Sequence, residues 1–173
     1  RVLFRSALCE PFNISEVVIK KVLSEFKAPP HRVEYIDSFS GIDFYNDSKG
    51  TNVGAAIAAI ASMTKPILLV AGGDGKNQNF SPLADVAKGK VKHVALIGKD
   101  ADAMQKILKG SDIPSDIEKN LEDAIHKSFE LAEKGDVILL SPACASTDMF
   151  KNYVERGNLF KACVMKLKEN HVR

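Results

Sequence analysis

Ile67-Leu68-Leu69-Val70-Ala71, running straight into Gly72-Gly73-Asp74-Gly75-Lys76-Asn77, settles the architecture of this chain. An apolar run without alternation reads as a strand buried on both faces, and a glycine cluster after it reads as the turn into a helix. Val91 to Ile97 and Val137 to Ser141 have the same look. Between and beyond these runs lie helical patterns at Asn52 to Met63, Pro82 to Lys88, Ala101 to Leu108, Leu121 to Glu133 and Asp148 to Lys168. Strands joined by helical crossovers pair in parallel and carry helices on both faces. The expected fold is therefore α/β, a Rossmann-like, open, mostly parallel sheet with helices on both faces. Upstream, Val33 to Ile36 and Ile42 to Tyr45 flank Ser38-Phe39-Ser40-Gly41 and read as a hairpin, and Gly110 to Ser115 reads as an irregular loop.

Further upstream, Ile14, Val17, Val18, Val22 and Phe26 recur at helical spacing until Ala28-Pro29-Pro30 stops the pattern. The proline pair marks a domain boundary, so this helix is expected to belong to a preceding domain and the self-contained unit to span residues 30–173. Arg1-Val2-Leu3-Phe4-Arg5-Ser6 resembles the conceptual translation of a sequencing adapter and is set aside as an artefactual start.

Composition narrows the function. The 173 residues are 45% hydrophobic and 27% charged, ordinary for a globular protein, and 24 Lys plus Arg balance 22 Asp plus Glu. That near-neutral charge gives no reason to expect nucleic-acid or polybasic membrane binding, so any anion must be held locally. No apolar run approaches the about 20 residues of a membrane-spanning helix. Three cysteines at unrelated spacings point to a reducing, cytoplasmic setting rather than a disulfide framework.

In open α/β sheets ligands gather beyond the carboxyl ends of the strands, where helix N-termini offer free amides. Three loops there are chemically unusual. Asn46-Asp47-Ser48-Lys49-Gly50-Thr51-Asn52 sets a carboxylate, a lysine and a hydroxyl before a helix. Lys49 and helix-end amides would hold an oxyanion there while Asp47 meets sugar hydroxyls. Plain turn chemistry also accounts for these residues, with Gly50 at a positive φ and Thr51 or Asn52 as the cap. Gly72 to Asn77 is neither the phosphate-binding G-x-x-x-x-G-K-[ST] nor a dinucleotide fingerprint, since Gln78 stands where the third glycine belongs. Its glycines still permit close backbone approach, and Lys76 suits a carboxylate or phosphate. Ser141 to Asp148 would open a long helix, placing the hydroxyls of Ser141, Ser146 and Thr147 beside its amides. Cys144 in that loop has no histidine base at a diagnostic spacing and reads better as a buried thiol than as a nucleophile. No Cys/His cluster has metal-ligand spacing.

Together these pieces resemble the C-terminal domain of the Mur ligases. Pro30-His31-Arg32 is similar to the family's His-Arg at the domain junction, Asn46 to Asn52 to its N-D-S-K-[AG]-T-N, and Gly72 to Lys76 to its G-G-D-G-K. Leu139 to Ser146 and Arg156-Gly157-Asn158-Leu159-Phe160 complete five matches in order. The D-S-K-[AG]-T-N form resembles the branch that adds D-glutamate. The resemblance implies an ATP-dependent amide ligation in peptidoglycan synthesis: the carboxylate of UDP-N-acetylmuramoyl-L-alanine is activated as an acyl phosphate and attacked by the D-glutamate amine. It implies ATP contacts at Arg32 and Asp47, a catalytic Lys49, side-chain carboxylate contacts at Thr51 and Lys76, and α-carboxylate contacts at Ser146 and the backbone near Tyr153. Many relatives have Phe where this chain has Tyr153. The P-loop, the magnesium ligands and the uridine-binding domain would lie in N-terminal and central domains absent from this chain, which is expected to be inactive alone and a cytoplasmic monomer when whole. The rival readings are a free-standing Rossmann-like module for a small dicarboxylate or nucleotide, and a thiol hydrolase using Cys144.

Overall fold

The computed structural model describes residues 10–25 and 29–171; the adapter-like start and Phe26 lie outside them. Six strands form one sheet in the order β1-β2-β6-β3-β4-β5. β1 (Glu34–Phe39) and β2 (Ile42–Asn46) are the antiparallel hairpin. The connection is a two-residue turn, Ser40 and Gly41, both at positive φ as tight hairpin turns require, so β1 runs on through Ser38 and Phe39. The other strands, β3 (Ile67–Gly72), β4 (Val91–Ile97), β5 (Ser115–Ile117) and β6 (Val137–Leu140), are parallel to β2.

β3 and β6 are buried throughout, as continuous apolar runs flanked on both sides must be. Each fully buried Ile, Leu or Val contributes about 1.5 to 3 kcal/mol. Alternate residues feed two cores. Ile67, Leu69, Val94, Leu96 and Leu139 face α2 (Val53–Ser62), α3 (Ser81–Ala87) and α4 (Ala101–Lys109). Leu68, Val70, Ala95 and Ile138 face α5 (Leu121–Leu131) and α6 (Tyr153–His171). Helices thus cover both faces as expected. α1 (Glu16–Glu25) buries none of its residues, and Val17, on its apolar side, is 77% exposed.

Two expectations need correction. Gly110 to Ser115 is not simply an irregular loop: Ser111 and Ile113 donate to Leu108 O to close α4, Pro114 O accepts from Val94, and the chain enters edge strand β5. The last helix starts at Tyr153 rather than Asp148, because residues 146–152 form turns, with the Met149 and Phe150 amides folding back on Ser146 O.

Topology fixes where a ligand can sit. β2 and β3 lead into helices on one face, whereas β6, inserted between them, leads to α6 on the other. Neighbouring loops that diverge in this way leave a crevice at the strand carboxyl ends.

Candidate functional site

The loop after β2 is built from its own hydrogen bonds. Asp47 continues the sheet by donating its amide to Leu140 O (2.7 Å), and its buried carboxylate accepts from the Val33 amide (3.2 Å) and the Ser141 hydroxyl (2.8 Å). The amides of Ser48, Lys49, Gly50 and Thr51 donate to Asn46 Oδ1, His31 O, Asp47 O and Lys49 O. Asn52, not Thr51, caps α2 by accepting from the Ala55 amide (2.9 Å), and the Val53 amide goes to Gln78 Oε1 (3.0 Å). These amides are therefore committed, which leaves little of this loop's backbone for an oxyanion. Charge must instead be met by side chains: Lys49, Lys76 and the Thr51 hydroxyl, which has no partner among the described residues. Gly50 is also not at positive φ; it is small because a Cβ would collide with the Asp47 carboxylate and come within 3.0 Å of Ser141 Oγ.

The loop after β3 is joined to the loop after β6. Gly72 and Gly73, at φ 113° and 126°, let Gly72 donate to Pro142 O (2.9 Å) and bring Asp74 against Ala145, the two exchanging both backbone bonds (3.0 and 2.9 Å). The Gly75 amide donates to Asp100 Oδ2 (2.6 Å) and the Lys76 amide to Asp74 Oδ1 (2.9 Å). That Lys76 amide bond, together with the cations Lys99 and Lys76, holds Asp74 below the usual carboxylate range despite partial desolvation. Lys76 itself sits exposed in a left-handed turn at φ 50°. Gln78 ties the three loops together, donating to Gly75 O (2.8 Å) and Ala143 O (3.3 Å) while accepting from α2.

The β6 loop holds Cys144 fully buried, and burial, with Asp100 adding to it, pushes its thiol up to about 12. A thiol that stays protonated and has no path to solvent cannot serve as a nucleophile, so the hydrolase reading falls. Asn152 caps α6 by accepting from the Val154 and Glu155 amides (2.9 and 3.0 Å). The Ser146 and Thr147 hydroxyls accordingly sit on a turn rather than at a helix start. The Tyr153 amide has no acceptor among the described residues. The Lys49 ammonium rests over the Tyr153 ring, 4.0 Å from its centroid, a cation–π contact that Phe would also provide.

Thr51, Lys76 and Ser146 therefore lie on loops that touch one another, and Tyr153 at the start of α6 meets the first of them through Lys49 and Ser48. Arg32 is exposed in the turn before β1, directly ahead of Val33, whose amide Asp47 holds. His31 beside it is buried, its Nδ1 3.1 Å from the Asn46 amide nitrogen, which also donates to Gly157 O (3.0 Å). Arg156 is the residue whose importance sequence reading missed. It is 1% exposed and donates to Ser48 and Cys144. Its signal was readable: Arg156 falls one turn before Phe160, Cys163, Val164 and Leu167 on the apolar stripe of α6, where a charged side chain has no bland reason to be. Among the described residues no group of three or more His, Cys, Asp or Glu is arranged to hold a metal.

A cavity of about 590 Å³ lies at the opposite, amino-terminal edge, lined in part by Lys90, Lys92, Glu133 and Asp136. Lys92 is already paired with Glu133 (2.6 Å) and Asp136 (2.7 Å), so size there does not signal recognition chemistry. The convergent loops at the carboxyl edge are the stronger candidate.

The Mur ligase glutamate ligase domain model matches residues 31–144. The UDP-N-acetylmuramoylalanine–D-glutamate ligase of Nitrosospira multiformis is 48% identical over 158 residues, 91% of this chain and 33% of that protein. The enzyme of the same name from Methylobacillus flagellatus is 47% identical over 167 residues, 96% of this chain and 37% of that protein. The chain thus spans about a third of the length of the curated relatives it matches. In fold it is similar to the UDP-N-acetylmuramate-alanine ligase of Thermotoga maritima, with a TM-score of 0.66 at 13% identity, covering 95% of this chain and 36% of that one. It is also similar to the MurF ligase of that organism in complex with ADP, with a TM-score of 0.56 at 14% identity, covering 92% of this chain and 36% of that one. Motifs, fold and relatives agree, and the chain belongs to the Mur ligase family, carrying its glutamate ligase domain.

Proposed function

We propose that this chain is the C-terminal, substrate-binding domain of a cytoplasmic, monomeric ATP-dependent ligase that adds D-glutamate to UDP-N-acetylmuramoyl-L-alanine in peptidoglycan synthesis. The observation that supports the reading is the joining of the three loops that carry Lys49, Thr51, Lys76 and Ser146 at the carboxyl edge of the sheet, in a domain whose relatives bear that enzyme's name. A doubly acidic amino acid needs two separated anchors. Thr51 and Lys76 supply a hydroxyl and an ammonium for its side-chain carboxylate. Ser146 and the Tyr153 amide supply the donors for its α-carboxylate.

The reacting carboxylate is a poor electrophile, and ATP supplies the leaving group by forming an acyl phosphate. Lys49 then offers charge to the oxygens that become more negative as the amine attacks, which is the main catalytic task in such a site. The exposed guanidinium of Arg32 and the region around Asp47 suit the nucleotide. Asp47 acts there largely by fixing Ser141 and the turn that presents Arg32.

The triphosphate cradle and the magnesium ligands belong, on this reading, to the upstream two thirds that the relatives possess. α1 is the tail of that part, Pro29-Pro30 the hinge, and residues 30–173 the mobile domain. A free-standing module is disfavoured because the matched relatives carry this domain as a third of a longer protein. Among the described residues no helix is long and apolar enough to cross a membrane. The decisive experiment is a phosphate-release and product assay with ATP, UDP-N-acetylmuramoyl-L-alanine and D-glutamate. The chain restored to full length should turn over and the 173-residue chain alone should not; absence of D-glutamate-dependent turnover in the full-length protein defeats the proposal.

A further inference from the structure

A guanidinium is expensive to desolvate, and one buried in a protein core persists only where its donors are well used. Arg156 is buried, and burial draws its pKa down to about 10. Its donors go to hydroxyl and backbone oxygens, with Asp148 and Asp47 as nearby negative charges. Nε donates to Ser48 Oγ (3.1 Å), and one terminal nitrogen donates to Ser48 O (2.9 Å) and Cys144 O (3.2 Å). Because Ser48 Oγ accepts from Arg156, its own proton is directed to Tyr153 O (2.7 Å). The chain of bonds thus runs from Arg156 through Ser48 to the residue whose ring supports Lys49, and Lys49 is also the covalent neighbour of Ser48. The third bond fixes Cys144, two residues before Ser146.

We propose that Arg156 is the positioning residue of the rim: by gripping Ser48 and Cys144 it holds Lys49, Tyr153 and Ser146 as one rigid constellation that aligns the acidic amino acid with the activated carboxylate. This rests on the function proposed above. Arg156 lies behind the loops and touches no ligand; it acts through the three residues it fixes. A lysine would keep the charge and lose the planar fork that spans both loops.

In the intact ligase, Ser48→Ala removes the oxygen linking Arg156 to Tyr153 at almost no change in volume, and Arg156→Lys removes the fork. Displacing reacting groups by about 1 Å costs on the order of a hundredfold in rate, so each variant should lose about ten- to a hundredfold in kcat while the KM for ATP moves less than about twofold. The double variant Ser48→Ala/Tyr153→Leu should be no slower than the worse single one, since both act on the placement of Lys49. In Ser48→Ala, amide exchange over residues 48–51 and 144–153 should accelerate together by about tenfold, the scale of one ordinary hydrogen bond. Additive losses in the double variant, wild-type kcat in a folded Ser48→Ala, or acceleration confined to residues 48–51 would each overturn the assignment. A full-length protein without ligase activity would sink the proposed function instead, and the exchange measurement would still decide whether Arg156 couples the loops.

Discussion

Lys76 stands exposed on a left-handed turn whose shape is fixed by its own amide bond to Asp74, so its ammonium is presented without being consumed. Removing one charged partner from a carboxylate costs about 1.5 to 3 kcal/mol. Lys76→Ala should therefore raise the KM for D-glutamate by roughly ten- to a hundredfold and leave the KM for ATP nearly unchanged; equal effects on both substrates would contradict the assigned role. At this scale the sequence was informative about which side chains carry charge and much less about where amides point. Asn46-Asp47-Ser48-Lys49-Gly50-Thr51-Asn52 announced a loop of unusual chemistry. The Ser48 amide bond to Asn46 Oδ1 is the turn chemistry the sequence offered, but nothing in the order of residues indicated that His31 O, on a separate turn, would take the Lys49 amide. Arg156 was concealed for a related reason: an arginine looks solvent-facing until its position on the helix stripe is compared with Phe160 and Leu167.

Among the elements, α6 offers the sharpest test. Glycine inside a helix normally costs about 1 kcal/mol relative to alanine, so Gly157→Ala would ordinarily stabilise. Here a Cβ would strike His31 Nδ1 and lie 2.8 Å from its Cε1, and His31 is held in place against Asn46. Overpacking of this kind costs about 1 to 3 kcal/mol and outweighs the helical gain; thermal unfolding should show a lower midpoint for Gly157→Ala, and a raised one would mean the ring can yield. β3, β4 and β6 were legible because a strand buried on both faces writes an unbroken apolar run. β5 was not, since it is three residues long and its one apolar side chain, Ile117, is exposed. The start of α6 is Tyr153 rather than Asp148, and Asn152 followed three residues later by Glu155 is the better capping pattern, Glu155 accepting from the Lys151 amide one residue ahead of the cap (2.6 Å).

For the molecule as a whole, acid should weaken the fold through its buried histidines. Burial holds His93 below the usual histidine value despite the neighbouring Asp116, with Lys127 and Glu118 the other charges facing it, and burial lowers His31 likewise, with Lys161 adding to it. The unfolded chain then takes up protons first, so stability is full above about pH 6.5 and declines as pH falls through the interval down to the folded values. Unfolding midpoints measured between pH 7.5 and 5 should drop, and His93→Gln should flatten that slope; an unaltered slope would remove His93 from the account. Removing α1 should shift the midpoint by less than about 2 °C, since none of its residues is buried. The double backbone exchange between Asp74 and Ala145 has a mechanical corollary. With Gln78 bracing the same spot, the two loops are held together as one preassembled pincer. On the function proposed above, engagement and discharge would fall to the swing of this unit as one piece about the elbow at Pro29-Pro30.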